Sequence, residues 1–205
     1  QWTWGLTLAL VILAGCDDAD EPVGDDDDSS GQQPQQDPIE AAPLSAGSAD
    51  GTLDLPVGLP LAGFTGRAGF FGAQPVDGRD SSYAVEFVPS NGVHTRIPMH
   101  VVWLQSGDQN AVLVNIQLTY AFDGLVVGLE EAIREATGVD VTDQVLLFTG
   151  HSHHAYGEFS QAHHLFLGHD RFNKEIFLRL VGQATALAEE AHGALQPAAI
   201  GVGLD

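Results

Sequence analysis

The chain has 205 residues, and its 28 acidic and 7 basic side chains give a formal net charge of −21. The charge is uneven, because residues 1–50 hold 11 acids and no Lys or Arg, whereas residues 51–205 hold all seven bases. The lack of a basic patch argues against a nucleic-acid partner. The single cysteine excludes a disulfide framework and any Cys-rich zinc motif.

The N-terminal segment has the features of a secretory signal. Residues 6–15 are an apolar run too short to span a bilayer comfortably, and Leu13-Ala14-Gly15-Cys16 resembles the bacterial lipobox. The alternative is a short buried helix with an incidental cysteine. We predict that residues 1–16 are a lipoprotein signal peptide and that Cys16 is lipidated. The protein would then be lipid-anchored to a membrane of the bacterial cell envelope, on its extracytoplasmic side.

An acidic linker and one domain follow the signal segment. Residues 17–50 include the run Asp25 to Asp28, contain no aromatic residue and have almost nothing to bury. Such a segment cannot offset the entropy lost on ordering, so we expect a disordered linker. Residues 51–205 are long enough to form a domain with a real core.

The first half of this domain is rich in β-strand signals. Residues 83–88, 100–104 and 111–118 are runs with high strand propensity. The turn-forming sequence at residues 106–108 separates the second and third runs. We therefore expect three strands, of which the last two form a hairpin.

The second half alternates helices with strands. Asp123 is a candidate N-cap for a helix that ends at Gly138, and residues 173–195 form a second amphipathic pattern that ends before Pro197. Residues 145–148 read as a fully buried strand, and residues 198–202 begin another strand. The apolar positions of the two helices are Leu125, Leu129, Ile133 and Ala136, then Ile176, Leu180, Ala184, Leu187, Ala191 and Leu195. The order predicts an α/β fold, a mixed β-sheet flanked by helices and incomplete at the C-terminus.

Histidines cluster after the apolar run at residues 145–148. Six of the nine lie within residues 151–169, and three of these six follow the run almost directly, as His151, His153 and His154. In extended geometry, residues i and i+2 project to the same face. His151 and His153 can then converge, while His154 points away. Two imidazoles at this spacing make half of a tetrahedral zinc site.

A polar loop with solvated histidines is the alternative, and the residues alone leave both interpretations open. The position after a buried strand favours a site, since sites in open α/β sheets form beyond the carboxyl ends of strands. We expect His163, His164 and His169 to lie around the site or on the surface, not to be metal ligands. Glu158 could act as a general base near a metal, although nothing in its spacing requires it.

Four stretches in order resemble the neutral/alkaline (non-lysosomal) ceramidase family. Residues 54–64 are similar to the family's opening segment, residues 92–98 to its Gly-Ile-His stretch, and residues 195–203 to the strand after the following helix. Residues 145–153, Val-Leu-Leu-Phe-Thr-Gly-His-Ser-His, are similar to the family's strand and its His-Thr-His loop. The resemblance covers residues 52–205 and implies the N-terminal part of a catalytic domain.

The resemblance also implies a chemistry. His151 matches the family's first histidine, which binds Zn²⁺, and His153 matches the second, which lies beside the metal and assists the amide carbonyl or the leaving group. The implied reaction is zinc-dependent hydrolysis of the N-acyl bond of ceramide or a related lipid. A ceramide-like substrate lies in a membrane, which fits a lipid-anchored enzyme.

Two departures from the family leave other interpretations open. His154-Ala155-Tyr156 stands where the family has Ser-Gly-Pro, and Gln117 stands near the place of an Asp. The family's other zinc ligands fall beyond residue 205, so we expect this chain to be a fragment with little activity alone. One alternative is a non-catalytic surface lipoprotein on the same fold, which would be either a binding module or a decayed enzyme. The other is a different metallohydrolase on a similar sheet.

Overall fold

The structure, a computed structural model, describes residues 42–75, 78–162 and 166–201. Ala42–Ala198 forms one compact unit. The signal peptide, Cys16, linker residues 17–41 and the two histidines His163 and His164 lie outside the described residues. The predictions for them are therefore untested.

A five-stranded sheet is the centre of this unit. Its strands are β1 (Leu44–Leu53), β2 (Ile97–Ser106), β3 (Gln109–Ile116), β4 (Val145–Thr149) and β5 (Gln196–Pro197). The spatial order is β4-β3-β2-β1-β5. Only the β3–β4 pair is parallel, and the other three pairs are antiparallel. The carboxyl ends of β3 and β4 therefore meet at one edge of the sheet.

Two long helices cover one face of the sheet. The two are α1 (Asp123–Thr137) and α3 (Lys174–Gly193), and a single helical turn, α2 (Phe166–His169), lies between them in the sequence. On the covered face, Trp103, Val114 and Ile116 are fully buried, and the Trp103 ring packs against His192 of α3. The prediction of an α/β fold with a mixed sheet and flanking helices is confirmed. Among the helices in the described part of the chain, none is long and apolar enough to cross a membrane.

The hairpin and helix α1 follow their sequence signals closely. β2 and β3 pair antiparallel on either side of Gly107, which has φ = 59°. Leu125, Leu129 and Ile133 are buried, and Gly138 ends α1 with φ = 74°. Two details of our expectation are wrong. The residue at the N-cap is Phe122 and not Asp123, and Ala136 is exposed.

The first strand differs from the prediction. Leu44–Leu53 is a strand, although we assigned residues 44–50 to the linker, and residues 83–88 are not a strand. β1 is rich in Gly, Ala and Ser, which have low strand propensity, so the sequence pattern did not indicate a strand. These small residues allow helix α3 to pack closely against β1. A Cβ atom on Gly47 would overlap the Ala191 carbonyl of α3. Small side chains here let the end of α3 approach the sheet.

The strands at the sheet edges also differ from expectation. β4 is not fully buried, because Leu146 and Phe148 point to the face opposite the helices and are 47% and 42% exposed. The last strand is Gln196–Pro197, next to β1, and residues 198–201 are irregular. Helix α3 ends at Gly193, so the chain turns into the sheet earlier than the apolar pattern indicated.

Two long loops pack together at the edge where β3 and β4 end. We call them the loop layer, comprising the described residues of 54–96 and of 150–173. Backbone hydrogen bonds join the two loops, from Ala62 N to the Ala155 carbonyl (2.9 Å) and from Gly157 N to the Pro60 carbonyl (2.9 Å). The loop layer lies where α/β sheets commonly form binding sites.

Candidate functional site

His151 and His153 converge at the edge of the sheet, as the sequence predicted. Their Nε2 atoms lie 3.0 Å apart, and the two rings meet edge to face with centroids 4.7 Å apart. The reason for the convergence differs from our expectation. His151 has φ = 55°, so the segment turns instead of continuing as an extended strand. A left-handed φ is uncommon outside glycine, and such strain is often found at functional sites.

The loop after β3 fixes the tautomer of His151, that is, which ring nitrogen carries the proton. The Thr119 carbonyl lies 2.6 Å from His151 Nδ1. A carbonyl can only accept a hydrogen bond, so Nδ1 carries the proton and the Nε2 lone pair of a neutral ring faces His153. A second contact holds the two loops together, since the Thr119 hydroxyl donates to the Ser152 carbonyl (3.0 Å). A metal-binding histidine commonly has its other nitrogen held in this way.

Glycines make room for both histidines. A Cβ on Gly63 would meet His153 Nδ1 at 2.5 Å, and Gly63 has φ = +81°. Gly63 N also donates to the Gly168 carbonyl at 2.6 Å, which presses this backbone against the second loop. Before His151, a Cβ on Gly150 would overlap Gln117 Oε1. Gln117, at the position where we expected an Asp in the resembled family, thus packs directly behind the site.

An aromatic ring forms the opposite wall of the site. Phe64 packs edge to face against His153 (centroids 5.1 Å apart) and against His154 (5.7 Å). His153 is half-buried by these contacts, whereas His151 and His154 are exposed. His154 takes no part in the pair of facing nitrogens, as predicted. The site is therefore open to solvent on the side of His151.

His169 is buried and lies next to the site. It is 4% exposed and packs against Tyr120 and Phe159, so our alternative of a surface residue is wrong for His169. Neither ring nitrogen has a hydrogen-bond partner among the described residues. Burial, with a smaller contribution from the charge of nearby His153, lowers the pKa of His169 to about 4. His169 is therefore a neutral group behind the pair.

Glu158 is buried in the loop layer. It is 2% exposed, has φ = 65°, and its Oε2 atom has no hydrogen-bond partner among the described residues. Burial, followed by the negative charge of Asp170, raises the pKa of Glu158 to about 8. No hydrogen bond links Glu158 to His151 or His153 in the described part of the chain. The side chain is protonated at neutral pH, which does not support the general-base role that we considered.

Asp170 organises the loop layer and had no sequence signal. Its carboxylate accepts hydrogen bonds from the backbone amides of Val85, Glu86 and Phe87, each near 3.0 Å, and from Arg171 N at 2.7 Å. Three consecutive amides donate to the same carboxylate and are therefore not paired with a neighbouring strand. For this reason residues 83–88 do not form a strand. Phe87 is buried beside it, and a salt bridge from Arg171 to Glu86 (2.6 Å) closes the contact.

The described residues do not by themselves form a complete metal site. Among them no group of three His, Cys, Asp or Glu side chains could hold a metal ion. The His151 Nε2 lone pair, fixed by Thr119, fits a zinc ligand, and His153 lies within hydrogen-bond distance of it. A catalytic zinc usually has three protein ligands. The described residues therefore offer fewer ligands than a catalytic zinc usually has.

Comparison with known proteins identifies the fold. No protein-family model and no curated protein matches this chain. Among solved structures, the neutral ceramidase from Pseudomonas aeruginosa matches with a TM-score of 0.59 and 18% identity over 77% of this chain. A ceramidase solved in complex with C2 matches with a TM-score of 0.57, also at 18% identity, over 76% of this chain. The chain has a ceramidase-like fold.

The match covers only a part of those proteins. This chain spans 23% of the first structure and 22% of the second.

Proposed function

We propose that this chain contributes to the active site of a zinc-dependent amidohydrolase that cleaves the N-acyl bond of ceramide or a related N-acyl lipid. The observation that supports this most is the His151–His153 pair, with Nε2 atoms 3.0 Å apart and Nδ1 of His151 held by the Thr119 carbonyl. The ceramidase-like fold is consistent with this proposal.

The two histidines have different roles in this proposal. His151 presents an unprotonated Nε2 and is the metal ligand. His153 then donates its Nε2–H toward His151 Nε2 when that lone pair is free. The same Nε2–H could instead donate to an acyl oxygen or to the leaving nitrogen of a bound substrate. His153 is therefore the catalytic residue, acting as hydrogen-bond and proton donor.

A zinc ion held by His151 would supply Lewis acidity toward the acyl carbonyl and lower the pKa of a bound water. The protein supplies position and exclusion of water. Phe64 and Gly63 fix the His153 ring from two sides, and the open side at His151 leaves a route for substrate. Lipidation at Cys16, which is a prediction from the sequence, would hold the domain at the bacterial envelope near a membrane-bound substrate.

Zinc titration of the metal-free chain tests the proposal. We expect His151→Ala to weaken zinc binding by at least about tenfold, because one nitrogen ligand is lost. His154→Ala is the matched control, since it removes an exposed imidazole three residues away and is expected to leave zinc binding unchanged. Equal affinities for the wild-type chain and His151→Ala would contradict the proposal. That result would favour a non-catalytic surface lipoprotein on the same fold.

Hydrolysis by the chain itself is a separate expectation. We expect the purified chain with zinc to hydrolyse ceramide little or not at all, because the described residues leave the metal short of protein ligands. Assays on ceramide and on other N-acyl and ester lipids measure this directly. Ready turnover of an ester lipid but not of ceramide would support a different metallohydrolase.

A further inference from the structure

A pocket of about 220 Å³ lies in the loop layer, beside the histidine pair. Its walls include Leu61, Arg67, Arg79, Ser90 and Asn91. Among the described residues that line it there is no Asp or Glu, although the chain has 28 acidic side chains. Two of the seven basic side chains of the chain, in contrast, line this one pocket.

The Arg67 guanidinium lines this pocket, and no carboxylate of the described residues forms an ion pair with it. Arg67 is half-buried, and its guanidinium carbon lies 4.4 Å from the centroid of the Phe64 ring. A guanidinium stacked on an aromatic face keeps its N–H edge directed outward. Arg67 can therefore bind an anion at that edge.

The other polar groups of the pocket are also donors. Ser90 Oγ accepts a hydrogen bond from Gly58 N (3.1 Å), so its hydroxyl proton can be donated elsewhere. Arg79 donates from Nη1 to the Asn91 carbonyl (3.4 Å), which places a second guanidinium in the same wall. Guanidinium groups match the oxygens of phosphate, sulfonate and carboxylate. We infer that this pocket binds an oxyanion group of this class.

The Phe64 ring links this pocket to the candidate active site. One face of the ring carries Arg67, and the ring meets His153 and His154 edge to face. A single aromatic ring thus separates the Arg67 guanidinium from the His153 imidazole. If the proposed function is correct, the anion is the head group of the substrate. The substrate class is then an acidic N-acyl lipid and not an uncharged ceramide.

Two exposed aromatic residues close to Arg67 in the sequence favour a ligand that carries an alkyl chain. Phe70 and Phe71 follow Arg67 closely in the sequence, are 53% and 64% exposed, and pack against each other with centroids 4.6 Å apart. Exposed apolar pairs beside a polar pocket are typical of contacts with amphiphiles or membranes. An anion site with two adjacent phenylalanines fits an anionic amphiphile better than a free inorganic anion.

Titration of the full chain with dodecyl phosphate tests the inference, with metal removed by chelation. We expect Arg67→Gln/Arg79→Gln to weaken binding by at least about tenfold, since charged hydrogen bonds are lost. Arg134→Gln removes the same charge on α1 and is expected to leave binding unchanged. If the double variant fails to fold, Arg67→Lys keeps the charge but loses the forked N–H edge, and it should still weaken binding several-fold. Equal binding by these variants and Arg134→Gln would overturn the inference.

A second comparison separates a lipid from a free anion. Phe70→Ser/Phe71→Ser is expected to weaken dodecyl phosphate binding several-fold and to leave inorganic phosphate binding unchanged. Leu178→Ser, at an exposed leucine of α3, is the matched control. Inorganic phosphate binding as tightly as dodecyl phosphate would overturn the assignment to an amphiphile. His151→Ala should bind both probes normally, so failure here is distinguishable from failure of the zinc proposal.

Discussion

The helix-covered sheet and the loop layer are stabilised in different ways. The sheet and its helices bury aliphatic side chains such as Leu129 and Val114, which are fully inaccessible. The loop layer buries Glu158, His169 and Asp170 in addition to apolar side chains such as Leu59 and Phe159. Burial of an apolar group is favourable almost anywhere, whereas a buried polar group is favourable only with the right partner. The loop layer should therefore be more sensitive to single polar substitutions. Because His151 and His153 lie in this layer, the same polar contacts should also affect their positions.

Among substitutions in the loop layer, Asp170→Asn should give the largest effect on stability. Asparagine has the same size as aspartate and also tolerates the backbone angle φ = 63° of this position. Asp170→Asn replaces one carboxylate oxygen, which accepts hydrogen bonds from backbone N–H groups, with an NH₂ donor. We expect a loss of about 3 kcal/mol in the free energy of unfolding, because charged hydrogen bonds to buried amides are broken. Denaturant titration measures the loss.

Two other variants show whether this polar residue matters as much as the apolar core. Leu129→Ala should cost about 2–5 kcal/mol. Asp140→Asn, at an exposed turn, should cost much less than Asp170→Asn. A loss below about 1 kcal/mol for Asp170→Asn would show that the carboxylate does not organise the loop layer.

Gly63 should give the next largest effect. Gly63→Ala adds a Cβ that meets the His153 ring at 2.5 Å and forces an alanine to φ = +81°. We expect a loss of about 1–3 kcal/mol from strain and overpacking, together with displacement of His153. Chemical shifts of the His153 imidazole and thermal unfolding measure the two effects.

Gly66 provides the control for this substitution. A Cβ on Gly66 would have no atom within 4 Å, so Gly66→Ala should change neither stability nor the His153 signal appreciably. An unchanged His153 signal in Gly63→Ala would mean that the ring is held by other contacts.

Glu158 should give an effect that appears as a change of stability with pH. Its folded pKa of about 8 lies above the ordinary value of 4.5, so the folded state retains a proton that the unfolded state has lost. Stability contributed by the neutral carboxyl is present below pH 4.5 and is lost as pH rises toward 8. Glu158→Gln removes this dependence.

The melting temperatures of Glu158→Gln and the wild-type chain should therefore diverge in favour of Glu158→Gln as pH rises from about 4.5 to 8. Taking the difference between the two proteins cancels the opposite contribution of His169, whose lowered pKa reduces stability toward acid pH. A constant difference across this range would show that Glu158 is not a buried neutral acid.

The sequence predicts the helix-covered sheet better than the loop layer, for a physical reason. Helix α1 and the β2–β3 hairpin have apolar periodicity and turn residues that act locally. Residues 83–88 have strand propensity, yet their amides bind Asp170, more than 80 residues away. No local pattern contains such a contact.

The site was predictable in its position and partly in its geometry. The spacing of His151 and His153 after an apolar strand indicated that they converge, but the left-handed turn at His151 could not be read from that pattern. Thr119 and Gly63 gave no signal, because one contributes a backbone carbonyl and the other only the absence of a side chain. The packing that fixes the pair comes from distant parts of the chain.

Nitrogen NMR of the histidine side chains, with and without zinc, tests the central claim most directly. In the metal-free chain, we predict that His151 carries its proton on Nδ1, bound to the Thr119 carbonyl, with Nε2 unprotonated. Zinc should then shift the Nε2 signal of His151 and leave that of His154 in place. A proton on Nε2 of His151, or no response of His151 to zinc, would contradict the account.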